Sequence, residues 1–231
     1  MPKNIEIERK FVVNPYHPEW IKIRDSQKGK RLVQSTIHKE DGYKLRIRMI
    51  EDLDNGGEMS SFFCFKVNKW KNKKTDPAVR DEYEWPVLPR NALYMMIGHG
   101  EIIKIRRSYT HTDWLTYEID EYQWDNLWVI TADVEVDDVE HKFTKPAFLG
   151  WEVTADERLK NSTLQESENA FIKWKKKDKE WYESMFVGDG VSQYNSKNPE
   201  KQPMPKSFWW RFKLALRVLS GKESEEIIDT L

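Results

Sequence analysis

In the stretch Ile5-Glu6-Ile7-Glu8-Arg9-Lys10-Phe11, charged side chains recur two residues apart, at Glu6, Glu8 and Lys10. An apolar residue, Ile7, separates the two glutamates. Side chains on a β-strand alternate between its two faces. Glu6, Glu8 and Lys10 therefore share one face of a predicted strand, while the isoleucines and the phenylalanine share the other. This pairing of an ionised face with an apolar face is the feature from which the rest of the chain is interpreted.

Six more stretches repeat this alternation, as acidic doublets in some strands and basic doublets in others. They are residues 44–48, 65–67, 80–85, 104–106, 117–120 and 133–136. Two like unit charges about 4 Å apart repel by about 4 kcal/mol at an effective dielectric near 20. Acidic doublets therefore favour hard divalent cations and basic doublets favour phosphate oxygens. The alternation alone is equally typical of charged faces that point to solvent around an apolar sandwich.

Turn signals divide the first two thirds of the chain into nine short predicted strands. Their approximate bounds are 4–13, 31–39, 42–50, 60–69, 79–87, 101–110, 114–122, 127–138 and 150–154. Many short strands joined by turns are typical of an antiparallel sandwich or barrel. A short helical turn is predicted at 19–21 and a helix at 91–97. Large aromatic residues at apolar strand positions, such as Trp85, predict that helices cover the apolar side of the sheet.

Composition excludes several classes of protein. The chain has 231 residues, 33% of them charged, but a formal net charge of only −1, so no specific nucleic-acid partner is expected. Its single cysteine, Cys64, allows no internal disulfide and is predicted to be a buried, inert thiol. The sequence contains neither a signal-peptide pattern nor a long apolar span, so a soluble cytoplasmic protein is expected.

The composition changes after about residue 165, which predicts a domain at 1–165 and a helical extension at 166–231. The capping-box pattern from Thr163 predicts one amphipathic helix over 163–186. A polar linker follows at about 188–205, and a second helix at about 206–219. Three roles stay open for that second helix: covering the barrel exterior or a homodimer interface, lying on a membrane surface, or docking onto another protein.

The charged motifs, in their order along the chain, resemble those of the CYTH superfamily, the triphosphate tunnel metalloenzymes, in its bacterial tripolyphosphatase-like branch. Residues 5–11 resemble its Glu-x-Glu-x-Lys signature and residues 44–48 its Arg-x-Arg strand. The remaining matches are 65–66, 80–84, 104–106, 133–135, and a closing segment at 149–154 followed by Asn161 and Leu164. The resemblance covers about residues 1–165 and is specific because the motifs recur in combination.

The resemblance implies a mainly β (α+β) fold, an eight-stranded antiparallel β-barrel with peripheral helices and an ionised lumen. It implies that Mg²⁺ or Mn²⁺ binds to Glu6, Glu8, Asp133 and Glu135. It implies that a triphosphate binds to Lys10, Arg46, Arg48, Lys66, Lys104 and Arg106. Lys10, Glu82 and Glu84 are implied as catalytic residues, the two glutamates by binding a second metal or orienting the attacking water.

The function implied is divalent-metal-dependent hydrolysis of a small triphosphate: inorganic tripolyphosphate, a nucleoside triphosphate or thiamine triphosphate. Two alternatives remain, a class IV-type adenylate cyclase and a non-catalytic binder or sensor of triphosphorylated ligands. Two positions depart from the family pattern. Asp133 stands where glutamate is usual, and Thr36 stands where bacterial tripolyphosphatases have a tyrosine that pairs with the signature lysine.

Overall fold

The computed structural model describes residues 5–40, 42–68, 79–126, 129–138 and 140–165. Its nine strands in these ranges follow the order predicted from the sequence, with ends that differ by a few residues. They are β1 Ile5–Val13, β2 Lys30–Glu40, β3 Tyr43–Asp52, β4 Glu58–Asn68, β5 Val79–Pro86, β6 Ile102–Thr110, β7 Thr116–Tyr122, β8 Ile130–Glu135 and β9 Leu149–Glu152. The helices are α1 Pro18–Ser26, α2 Pro89–Met96 and α3 Asn161–Gln165.

All nine strands form one antiparallel sheet in the order β5-β4-β3-β2-β6-β7-β8-β1-β9. The eight-stranded barrel implied by the resemblance is therefore wrong in its strand number. The reason lies in β1, which pairs along one edge with β8 and divides its other edge between two strands. Residues 5–7 pair with β5, whereas Phe11 and Val13 pair with β9 across an irregular register. The sheet is strongly curved, but its β1–β5 seam is three residue pairs long and it is not closed along the rest of β1.

Helix α1 covers the outer, apolar side of one half of the sheet. The helix begins at Pro18, and the Nδ1 atom of His17 accepts a hydrogen bond from the backbone N–H of Glu19 at 3.3 Å. Its buried residues Trp20 and Ile23 pack into the larger apolar cluster. That cluster also contains Phe11, Val13, Tyr117, Ile119, Ile130, Ala132, Val134, Val136, Phe148 and Leu149.

Helix α2 covers a second apolar cluster, on the other half of the sheet. It begins at Pro89, two residues before the predicted start, because proline suits the first turn of a helix. Ala92 and Met96 pack against Val33, Ile47, Met49 and Ile103. The predicted helical cover of the apolar side is thus present at both clusters.

The cover does not extend to Trp85, which keeps 40% of its surface exposed. The prediction that this tryptophan lies beneath a helix is wrong for the part of the chain that the structure describes. Alternation determines on which face Trp85 lies, but the length and direction of α2 determine how far the cover reaches.

The segment after β9 packs against the concave side of the sheet at one end. Val153, Leu159 and Leu164 form an apolar cluster there with Val12, Ile102, Tyr122 and Val129. This segment ends in α3, which begins at Asn161, two residues before the predicted capping box. The predicted extension at 166–231, with its helices and linker, lies outside the described residues.

The side chain of Gln165 replaces a strand neighbour for β2. The β2–β6 pairing ends at Gln34, so the backbone of Thr36 lacks a partner from β6. Gln165 accepts a hydrogen bond from the Thr36 N–H at 2.6 Å and donates one to the Thr36 carbonyl at 3.1 Å. Within the described ranges, the helices are too short or too polar to cross a bilayer.

Candidate functional site

Charged side chains gather on the concave face of the sheet, which we call the inner face. Its described residues are Glu8, Lys10, Arg46, Arg48, Cys64, Lys66, Glu82, Glu84, Lys104, Arg106, Glu118, Asp120, Tyr122, Asp133 and Glu135. Charges on strands that are not neighbours influence one another: Arg48 of β3 acts on Arg106 of β6, and Lys10 of β1 on Lys104 of β6. The inner face therefore brings charges from opposite parts of the sheet together, while Glu84 and Glu135 at its rim stay exposed.

Every candidate site residue with a described side chain lies on the inner face. Burial supports this arrangement, since Lys104 and Asp120 keep 1% and 0% of their surfaces exposed. For Glu6 the structure describes only the backbone, which pairs with Arg80. The assignment of Glu6 as a metal ligand stays a prediction.

One group of carboxylates lies where β1 meets β8. Glu8 is directly opposite Glu135, and Lys10 is directly opposite Asp133 in the next inward-facing pair. Lys10 Nζ lies 2.8 Å from Asp133 Oδ1. Three carboxylates and one ammonium thus share this corner of the inner face.

Burial and neighbouring charges shift the pKa values of two groups in this corner. Burial raises the pKa of Asp133 to about 7, and Glu8 and Asp120 act in the same direction against Lys10. Burial alone would lower the pKa of Lys10, but Asp133, Tyr122 and Glu8 together outweigh burial and raise that pKa. A divalent cation would stabilise the ionised form of Asp133, and carboxylate oxygens are the donors that Mg²⁺ and Mn²⁺ prefer. The donor set of Glu8, Asp133 and Glu135 therefore fits a hard divalent metal.

A second group joins β3, β4 and β5. Lys66 Nζ lies 2.5 Å from Glu82 Oε2, and Arg46 Nη2 lies 3.1 Å from Glu82 Oε1. Arg48 Nη2 lies 3.2 Å from Glu84 Oε1 and 3.8 Å from Glu82 Oε1. The predicted substrate-binding cations of these strands are thus held by the two predicted catalytic glutamates.

Cys64 lies opposite Glu84 in the β4–β5 pairing and is fully buried, as predicted. Its Sγ donates a hydrogen bond to Glu84 Oε1 at 2.9 Å. Burial raises the pKa of this thiol to about 11, so it stays protonated near neutral pH. Cys64, Glu82 and Glu84 each offer a ligand atom within 4.8 Å of the others. The protonated thiol and the three neighbouring cations Arg46, Arg48 and Lys66 disfavour a bound cation at this trio.

Arg46 and Arg48 retain unused hydrogen-bonding capacity. The Nε atoms of both are buried without a hydrogen-bond partner among the described residues. Burial lowers the pKa of Arg48, and the neighbouring Arg46 lowers it further. Two guanidinium groups held beside each other in this way favour an added anion, because its oxygens would satisfy the donors and offset the repulsion.

Comparison with known proteins adds independent support from sequence. No family model matches the chain. The chain is 34% identical over 83 residues to the inorganic triphosphatase of Acetivibrio thermocellus. The aligned residues make up 36% of this chain and 53% of that protein. The chain thus spans about half the length of this curated relative.

Sequence similarity and the concave charged face point to the CYTH superfamily. Among solved structures, the inorganic triphosphatase NE1496 is 23% identical in sequence and has a TM-score of 0.43. The alignment covers 69% of this chain and 93% of the NE1496 chain. The PH1819 protein of Pyrococcus horikoshii OT3 is 19% identical, covers 58% of this chain and 80% of its own, and has a TM-score of 0.39. Both TM-scores are below 0.5, so neither structure carries weight in the assignment.

Asp120 is an inner-face residue to which the sequence assigned no role. It forms a buried ion pair with Lys104 Nζ. Arg106 donates from Nε to Asp120 Oδ1 at 2.7 Å and from Nη2 to Oδ2 at 2.8 Å, and also pairs with Glu118. The signal was present in the sequence, because Asp120 shares the parity of Glu118 and faces Arg106 across the β6–β7 hairpin.

The pKa values assign Asp120 the role of counterion. Burial opposes its ionisation, but Arg106 and Lys104 outweigh burial and lower its pKa. Burial, with Arg106 and Lys10, lowers the pKa of Lys104 to about 7 despite the attraction of Asp120. Asp120 therefore holds two cations in a place where burial and mutual repulsion would otherwise disfavour them.

The tyrosine that the CYTH tripolyphosphatases place at position 36 is absent, but another phenol lies on the inner face. The Tyr122 hydroxyl donates to Asn161 Oδ1 at 2.7 Å, and its ring lies 5.5 Å from Lys104 Nζ. Burial raises the pKa of Tyr122, so the phenol stays neutral. Tyr122 thus links the inner face to the segment that packs across its end.

Proposed function

We propose that the protein is a divalent-metal-dependent triphosphatase whose substrate binds on the inner face. The observation that supports this most strongly is that cationic and carboxylate side chains in nearly equal number lie together on one concave surface. Such a surface is close to neutral by itself. A bare polyphosphate would leave it strongly negative, whereas a polyphosphate that arrives with divalent cations leaves the balance almost unchanged. The charge count therefore favours a metal–triphosphate complex as the ligand.

Six cations would bind the phosphate oxygens in this proposal. They are Lys10, Arg46, Arg48, Lys66, Lys104 and Arg106. Each already has at least one inner-face carboxylate beside it, at Asp133, Glu82, Glu84 or Asp120. These carboxylates hold the long side chains in place, so less conformational entropy is lost when the substrate binds.

Glu8, Asp133 and Glu135, with Glu6, would hold Mg²⁺ or Mn²⁺. When bound there, the metal supplies charge neutralisation for the transferred phosphoryl group. The chain's own part in catalysis is positioning. Glu82 and Glu84 lie beside the guanidinium groups, where a carboxylate freed by substrate binding could orient a water molecule. Lys10 connects the metal corner with the cationic surface.

A product analysis tests the proposed activity. The full-length protein is incubated with Mg²⁺ or Mn²⁺ and with inorganic tripolyphosphate, ATP or thiamine triphosphate, and the products are identified. Release of orthophosphate that requires the metal supports hydrolysis. Formation of cyclic AMP from ATP would support a cyclase instead, and binding without turnover would support a sensor.

Arg48→Ala is expected to raise the KM for the hydrolysed triphosphate about 10- to 100-fold, with a smaller change in kcat. The estimate corresponds to losing one charge-assisted interaction of about 1.5–3 kcal/mol. Steady-state phosphate release measures both constants. The matched control is Arg31→Ala on β2, since Arg31 pairs with Glu51 at 2.6 Å and is not on the inner face. A KM that is equal in the two variants would contradict the placement of substrate beside Arg48.

A further inference from the structure

Residues 159–165, which we call the crossing segment, lie across one end of the inner face. Tyr122, the last residue of β7, donates a hydrogen bond to Asn161 Oδ1 at 2.7 Å. Lys44, near the start of β3, donates one from Nζ to Ser162 Oγ at 3.2 Å. Because β2 and β6 lie between β3 and β7, the crossing segment reaches over four neighbouring strands at this end.

Side chains at the other end of the inner face are more exposed. Along β7, the side chain of Glu118 is 46% exposed, whereas Asp120 and Tyr122, which lie closer to the crossing segment, are buried. Lys30 begins β2 at the same end as Glu118, and its side chain is 56% exposed. A ligand on the inner face is therefore accessible to solvent from the Glu118 end, and its inner terminus would lie beside the crossing segment.

Two lysines lie side by side on the inner face at the crossing segment. Lys44 shares the strand face of Arg46 and is directly opposite Lys66 in the β3–β4 pairing. Like charges that are directly opposite each other destabilise a sheet. Lys66 pairs with Glu82 at 2.5 Å, but Glu82 also pairs with Arg46 at 3.1 Å, so one carboxylate serves two cations. This part of the inner face therefore favours an anion that carries more than one negative charge.

The terminal phosphate of a linear triphosphate has the chemistry that suits this place. A phosphate with a free end carries a charge of about −1.5 to −2 near neutral pH and three strong acceptor oxygens. An internal phosphate of the same chain has only one ionisable oxygen. Both ammonium groups can donate to the terminal oxygens, and the buried Ser162 hydroxyl can donate while it accepts from Lys44. An ester group on this phosphate would remove charge and would meet the crossing segment.

We propose that Lys44, Lys66 and Ser162 bind the free terminal phosphate of the substrate, so that the triphosphate binds end-on. An organic group such as the nucleoside of ATP would then lie toward the Glu118 end. The substrates are thereby restricted to triphosphates with at least one unesterified end. This inference rests on the proposed function for the presence of a triphosphate on the inner face, and it adds Lys44 and Ser162 to the residues that bind it.

Calorimetry on the full-length protein, with Ca²⁺ present, tests the restriction. ATP and diadenosine triphosphate make a matched pair, because both contain adenosine but only ATP has a free terminal phosphate. Inorganic tripolyphosphate and ATP should each bind about 10- to 100-fold more tightly than diadenosine triphosphate, since the latter lacks the charge-assisted contacts at the crossing segment. Equal affinity for ATP and diadenosine triphosphate would overturn end-on binding but leave the proposed function standing. Failure to bind any of the three would overturn the proposed function and this inference together.

Substitutions at Lys44 test which residue recognises the free end. Lys44→Met is expected to weaken binding of ATP and tripolyphosphate about tenfold or more and to change the affinity for diadenosine triphosphate little. Lys44→Arg keeps the charge and should keep the preference for a free end. Lys30→Met is the control at the opposite end of the inner face and should leave all three affinities unchanged. A preference that survives Lys44→Met undiminished would overturn the proposal.

Ser162→Ala separates binding of the phosphate from support of the crossing segment. If Lys44 only held that segment in place, removal of its hydroxyl partner would reproduce the whole effect of Lys44→Met. We expect a smaller loss of ATP and tripolyphosphate affinity, about 2- to 10-fold, because one neutral hydrogen bond is removed and both lysines remain. Losses of equal size in Ser162→Ala and Lys44→Met, for diadenosine triphosphate as well as for ATP, would overturn the assignment of Lys44 to the terminal phosphate.

Discussion

Glu8→Gln is expected to lower metal-dependent triphosphate hydrolysis about a hundredfold or more without unfolding the protein. A divalent metal lowers the barrier to phosphoryl transfer by several kcal/mol, and an amide is a weaker ligand than a carboxylate for such an ion. Glu8 lies opposite Glu135 and contributes to the raised pKa of Asp133. The substitution therefore removes one of three carboxylates described in the proposed metal corner.

The same neighbours explain why the fold should survive Glu8→Gln. Negative charge at Glu8 opposes ionisation of Asp133, so replacing it with a neutral isostere relieves a repulsion in the folded state. The substitution also removes the attraction between Glu8 and Lys10, so the midpoint of thermal unfolding should change little.

Phosphate release measured over a range of Mg²⁺ and Mn²⁺ concentrations tests the role in metal binding, and calorimetry with each ion gives the affinity. Glu140→Gln, at an exposed turn residue, is the control and should keep full activity. Unchanged turnover in Glu8→Gln would reject the metal assignment.

Local alternation was enough to predict the inner face. A strand turns every second side chain to the same side, so the charged doublets could be assigned to one face from sequence alone. Alternation did not say whether that face was flat and open to bulk water or concave. The difference depends on curvature, which arises from how β1 divides its edge between β5 and β9. No periodicity within β1 predicts that division.

Contacts between distant parts of the chain also could not be predicted. Gln165 binds the Thr36 backbone across 129 positions, and its role depends on β6 ending its pairing with β2 at Gln34. The exposure of Trp85 depends on where α2 stops. In both cases the sequence indicates the element, whereas its extent and packing come from the tertiary structure.

Asp120→Asn is expected to lower the free energy of unfolding by about 3–5 kcal/mol, because it leaves two buried cations without their shared counterion. Lys104 is 1% exposed, and among the described residues Arg106 would keep its ion pair with Glu118, whose side chain is 46% exposed, and a weaker attraction to Asp133. Urea unfolding of the full-length protein measures the loss. The neighbouring Glu121→Gln is the control, because Glu121 pairs with Arg107 on the outer side and its side chain is 28% exposed. The control should cost about 1 kcal/mol or less.

The pH dependence of the deficit separates unpaired charge from simple loss of packing. The pKa of Lys104 is already lowered to about 7 in the folded protein, below its ordinary value of 10.5. Removing the Asp120 carboxylate lowers the pKa of Lys104 further. Between that folded-state pKa and 10.5, the folded state binds fewer protons than the unfolded state. Stability then rises with pH, because the unfolded chain holds the extra proton. The deficit of Asp120→Asn should therefore shrink as the pH rises from 5 to 7, where Lys104 is charged in the unaltered folded protein but already neutral in the variant, and should level off above pH 7. A deficit that stays constant over this range would show that Asp120 acts through packing and not as the counterion of Lys104.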